Sequence, residues 1–120
     1  MIVAYWIVAG LLALFYLYSG GLKIARNPDR LRPMMAWVDR VPLPVVRFVG
    51  VLEVLGAFGL VLPPLVGVGV WLAPVAAVGF VLIQVGAIPV HLTGEDRRIA
   101  LNLVLLLTAG ATVWLATIWV

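Results

Sequence analysis

The chain contains no cysteine, which excludes disulfide exchange, iron–sulfur ligation and cysteine-based zinc sites. It has one histidine, His91, so two axial histidines for a haem cannot come from a single copy. Charge is scarce: 11% of the residues are Asp, Glu, Lys or Arg, and none lies between Met1 and Leu22 or between Ile99 and Val120. The net charge of +3 is not laid out as a basic stripe interleaved with aromatics, and nucleic-acid binding is discarded. No metal site is read from the residues that remain.

What is present is apolar length. Hydrophobic residues make up 65% of the chain and the mean hydropathy is +1.21, outside the range of a water-soluble domain. Each uncharged end is about 22 residues long, enough for a helix to cross a hydrocarbon core of about 30 Å. Two more spans fit between them. The expectation is an all-α integral membrane protein, a single-domain antiparallel four-helix bundle with spans at about 2–25, 44–62, 66–90 and 97–119. The first span is read as a retained helix, not a signal peptide, because its basic residues follow the apolar run.

Proline and glycine punctuate this pattern. Helix 1 should stop before Asn27-Pro28 and helix 2 should close at Pro63-Pro64, while Pro74 and Pro89 predict bends in helix 3. Thr93, Gly94, Glu95 and Asp96 form a polar turn into helix 4. Between helices 1 and 2, Leu31, Met34, Met35 and Val38 recur at three- and four-residue spacing beside Arg32, Asp39 and Arg40. That spacing predicts a short interfacial helix, with Trp37 at headgroup depth.

All the basic residues flank two connections: Lys23, Arg26, Arg30, Arg32, Arg40 and Arg47 surround the first, Arg97 and Arg98 the third. The positive-inside rule then puts these connections in the cytoplasm and both termini outside the cell membrane. Trp6, Trp71, Trp114 and Trp119 map to the opposite, outer interface.

Glu53 is the sole carboxylate within a span. A charge at mid-helix costs about 3 kcal/mol on insertion scales, so it should face inward and have a partner. Arg47 lies about 120° away around the same helix and is poorly placed. Lys23 can reach, from a ladder of Tyr16, Ser19 and Lys23 on helix 1. Helix 3 contributes Gln84 and His91, and helix 4 contributes Asn102, so all four helices place a polar side chain in the same half of the bilayer. Small residues supply packing faces: Gly50, Gly56 and Ala57; Gly69, Ala73 and Ala77; Ala109 and Ala116 beside Asn102. Two readings of the polar cluster stay open. It is interhelical glue that fixes register, or it is a cytoplasm-side pocket in which Glu53 accepts protons or anchors a ligand.

Ser19-Gly20-Gly21-Leu22-Lys23, the run Gly50-Val51-Leu52-Glu53-Val54-Leu55-Gly56-Ala57-Phe58-Gly59-Leu60 followed by Leu62-Pro63, and Gly86-Ala87-Ile88-Pro89-Val90-His91-Leu92 together resemble the DoxX-like family of small bacterial four-helix membrane proteins. The likeness spans nearly the whole chain. It implies Lys23, Glu53 and His91 as the characteristic polar positions, and it links the chain to the membrane subunit of a thiosulfate:quinone oxidoreductase and to membrane oxidoreductase assemblies. The implied function is a membrane subunit or partner of an oxidoreductase system that holds a quinone-like or other lipophilic small molecule, the quinone being the one cofactor suggested. Glu53, Lys23 and His91 are then candidate catalytic residues, and Tyr16, Ser19, Gln84 and Asn102 candidate ligand contacts. The alternatives are a small-solute binding or transport protein, assembling as a homo-oligomer, and an assembly or scaffolding factor whose polar cluster is structural.

Overall fold

The long apolar runs have no way to pair their backbone groups with lipid, and each satisfies them internally as a helix. The computed structural model describes residues 1–27, 29, 41–92 and 100–120. The expected interfacial helix with Trp37, the polar turn at 93–96 and the Arg97-Arg98 pair lie outside the described residues. Within them are α1 (Ile2–Ala25), α2 (Leu43–Val66), α3 (Leu72–Leu92) and α4 (Ala100–Leu115), the last tightening into a 3₁₀ turn over Ala116–Trp119. The 24 residues of α1 extend about 36 Å at the standard rise. All four helices are long and apolar enough to cross a membrane, and only 22–33% of each span is buried inside the protein. Leu11, Leu14, Phe48, Leu55, Leu82 and Leu107 point outward, an arrangement that water would oppose and acyl chains accept. The protein is an integral membrane four-helix bundle.

The helices form a ring in chain order. α1 packs most extensively on α2, α2 on α3, α3 on α4, and α4 closes more sparsely on α1. In the half that holds both termini and the 67–71 turn, the core is made of small residues, Ala9, Ala13, Ala57, Ala73, Ala77, Ala109 and Ala116, filled out by Tyr5, Leu12 and Leu60. Alanine on facing helices lets the backbones approach closely, which is how association is driven when lipid is as apolar as the helix surface. Tyr5, Trp6 and Trp119 seal this end with edge-to-face contacts at centroid separations of 5.4 to 6.3 Å.

Three expectations about helix bounds and packing faces are corrected. α2 does not close at Pro63-Pro64 but runs on to Val66, and stops at Gly67, whose φ of 76° is left-handed and whose N–H bonds the Pro63 carbonyl at 2.9 Å. α3 accordingly starts at Leu72. Gly69 (φ 64°) belongs to the turn, not to the packing face that Ala73 and Ala77 form. Pro74 falls in the first turn of α3, where a missing N–H leaves no carbonyl unpaired, so it requires no bend.

The continuation through Pro64 has a specific cause. Pro64 has no N–H to give to the Leu60 carbonyl one turn earlier, and the Tyr5 hydroxyl of α1 donates to that carbonyl instead, at 2.5 Å. Tyr5→Phe should therefore lower thermal stability in detergent by about 1–3 kcal/mol, the penalty for a buried unpaired acceptor. Adding Pro64→Ala to Tyr5→Phe should recover most of the loss, because the alanine N–H can take over the Leu60 carbonyl.

Candidate functional site

The site begins with a backbone crossing. A Cβ on Gly20 would lie 2.7 Å from the Gly50 carbonyl oxygen, and one on Gly50 would lie 2.8 Å from the Gly20 carbonyl oxygen. Only glycine at both positions allows α1 and α2 to touch in this way. One turn along each helix stand Lys23 and Glu53, brought within reach by the crossing. The Lys23 side chain runs back along α1, as helical side chains do, and its Nζ donates to Glu53 Oε1 at 2.8 Å, to Glu53 Oε2 at 3.0 Å and to Ser19 Oγ at 2.7 Å. Both charges are buried, with Lys23 6% and Glu53 2% exposed.

Arg47 serves α1 instead. Its Nη1 donates to the carbonyls of Lys23, Ile24 and Arg26, capping the C-terminal turn where the helix dipole is negative. This role was not read from the sequence. The pattern offers a signal only in hindsight: an arginine one turn into α2 faces the last turn of an antiparallel α1.

A second polar group links α4, α3 and α1, the last step running across the ring. Asn102 Nδ2 of α4 donates to Gln84 Oε1 of α3 at 2.9 Å, and Gln84 Nε2 donates to the Tyr16 hydroxyl of α1 at 2.8 Å. The Tyr16 ring stacks on Phe80, with centroids 3.9 Å apart and planes 6° from parallel. Phe80 in turn presses its edge into the space left by Gly56, where a Cβ would meet Cζ at 2.7 Å. Phe80 was missed at the sequence level because one phenylalanine among many apolar residues carries no mark.

These groups border one cavity of about 470 Å³, in the half of the bundle nearer the 26–42 and 93–99 connections. Tyr16, Ser19, Lys23, Glu53, Gln84 and Asn102 all line it. The remaining wall is apolar and lies along two seams. Phe15, Tyr18 and Leu22 of α1 face Leu101 and Leu105 of α4 on one side; Val45 and Val49 of α2 face Leu82 and Gly86 of α3 on the other. Tyr18 is 58% and Leu82 64% exposed, so the cavity reaches the lipid-facing surface along both seams. The bundle thus reads as two helix pairs, α1/α2 and α3/α4, in contact at one end and parted by a polar-floored cleft at the other. Of the candidate residues, six are brought together; His91 lies in the last turn of α3, and its side chain lies outside the described residues.

Chemically the cleft offers an ammonium, a carboxylate, two amides and two hydroxyls to a molecule arriving from hydrocarbon. Residues 7–112 match the DoxX-like family. The chain belongs to that family. The matched segment holds every residue of this site and all but the ends of the bundle, so the cleft is part of what the DoxX-like match covers. No curated protein and no solved structure matches this DoxX-like chain.

The ion pair gives a direct test. Lys23→Met leaves the Glu53 carboxylate buried beside apolar groups and should destabilise the protein by about 3–5 kcal/mol, read as a drop in melting temperature in detergent. The double variant Lys23→Met with Glu53→Gln removes both charges and should recover much of that loss.

Proposed function

We propose that this DoxX-like protein is a membrane subunit or partner of an oxidoreductase system, and that the cleft holds a quinone-like, lipid-soluble molecule. The observation that carries the reading is a cavity of about 470 Å³, within the usual size for small-molecule sites, with apolar walls and six convergent polar side chains. Tyr16, Gln84 and Asn102 form one set of hydrogen-bonding groups for a ring carbonyl. The Lys23 and Glu53 pair, with Ser19, forms a second set that can exchange a proton with a reduced head group. His91 enters as the third candidate catalytic residue on the sequence resemblance. Binding or transport of another small solute with one polar head uses the same cleft; a purely scaffolding role needs no ligand at all.

In nanodiscs, the purified protein should gain melting temperature on titration with a benzoquinone carrying a short alkyl tail. Gln84→Leu, which deprives both Tyr16 and Asn102 of a partner, should weaken that binding by about tenfold. A wild-type protein whose melting temperature ignores saturating quinone would sink the proposal. Glu53→Gln then separates the roles: lost cellular function in a folded variant speaks for chemistry at the cleft, unchanged function for a scaffold.

Lys23, Arg26 and Arg47 at the cleft end of the bundle, with the other basic residues confined in sequence to the first and third connections, support a cytoplasmic-side position in the cell membrane, with both termini outside. Cysteine placed at Val68, an exposed position in the 67–71 turn, should react with a membrane-impermeant maleimide added to intact cells. The chain has no other cysteine to react, and labelling only after lysis would reverse the assigned orientation.

A further inference from the structure

We infer that the seam between α2 and α3 is the portal through which the tail of a lipid-soluble ligand passes between the cleft and the bilayer, and that the missing side chain of Gly86 keeps it open. The inference rests on reading the cleft as a ligand site, and it adds where the ligand's apolar part goes.

Glycine inside a helix is disfavoured relative to alanine, so each one invites a reason. For Gly20, Gly50, Gly56 and Gly59 the reason is a neighbour: a Cβ would lie 2.7, 2.8, 2.7 and 3.2 Å from the nearest atom. Gly86 has no such neighbour. Nothing lies within 4 Å of where its Cβ would be, yet it lines the polar cleft and is exposed to the membrane side. Gly10, Gly21, Gly79 and Gly110 share the open space, but among the described residues Gly86 is the glycine that borders this cavity. Among the described residues none demands the absence of a side chain there, whereas an occupant of the seam would.

The two seams also differ in bulk. On the α1/α4 side the wall carries the rings of Phe15 and Tyr18 with Leu22, Leu101 and Leu105; on the α2/α3 side it carries Val45, Val49, Leu82 and Gly86, with no aromatic ring. An alkyl or isoprenoid tail crossing the second seam meets valine and leucine side chains and, at Gly86, bare backbone. Its polar head remains beside Gln84, two residues before Gly86 on the same helix, and Glu53, one turn beyond Val49.

The test compares two probes on the protein in nanodiscs: a decyl-tailed benzoquinone and the same benzoquinone without a tail. Gly86→Leu should weaken binding of the tailed probe by about tenfold while the tail-less probe changes by less than about twofold. Gly86→Ala should give a smaller loss in the same direction. Gly79→Leu, on the same helix with equal open space but away from the cleft, should alter neither. The portal is overturned if folded Gly86→Leu, with a ligand-free melting temperature equal to wild type, binds the tailed probe unchanged or loses both probes equally. A wild-type protein that binds neither probe overturns the ligand reading itself, and the portal with it.

Discussion

A buried ion pair at a glycine crossing is the constraint on which the rest of the arrangement depends. Taking an ammonium and a carboxylate out of water costs several kcal/mol for each ion, and mutual attraction offsets this only when the geometry is close and the remaining hydrogen-bonding capacity is used. Here the geometry is set by backbone. Gly20 and Gly50 let α1 and α2 meet carbonyl to Cα, and that separation is what allows one lysine to reach both carboxylate oxygens and Ser19 together. A side chain at either glycine would separate the helices, lengthen the pair and leave two charges facing hydrocarbon. The ion pair is thus a consequence of the crossing, and it also penalises any other register of the two helices.

From that fixed pair the remainder follows as a division between the two ends of the bundle. Where alanines face one another, α1/α2 and α3/α4 close together, and the Tyr5 hydroxyl even substitutes for a backbone donor that Pro64 lacks. Where Lys23, Glu53, Gln84 and Asn102 face inward, the helices cannot collapse to alanine distance without crowding longer polar side chains, and the cleft persists. The Gln84 to Tyr16 hydrogen bond and the Tyr16 to Phe80 stack tie the two pairs across the ring and mark the boundary between the closed and parted halves. Arg47 fixes the end of α1 next to the cleft by occupying three of its terminal carbonyls.

Much of this was legible in the residues, for identifiable reasons. The four spans could be read because charge is excluded from hydrocarbon, and Lys23 could be assigned to Glu53 because the 100° step of a helix turns Arg47 away. Tyr16, Ser19, Gln84 and Asn102 stand out because polar groups are rare in spans. What could not be read depends on contacts between helices. The end of α2 was misplaced because a double proline breaks an isolated helix, and nothing in the sequence near Pro64 reveals a donor 59 positions earlier. The stacking of Phe80 and the walls of the cleft are built from residue types that are everywhere in the chain.

On the proposed reading, the cleft would couple recognition to the integrity of the bundle. A ligand head placed among Tyr16, Gln84 and Asn102 adds hydrogen bonds at the point where the α1/α2 and α3/α4 pairs are already joined, so bound molecule and bundle stabilise one another. The Lys23 and Glu53 pair, bonded to Ser19, borders the same cavity from α1 and α2. The ion pair on one side and the Tyr16, Gln84 and Asn102 network on the other border a single cavity, and on the proposed reading the space between them is what a ligand head fills.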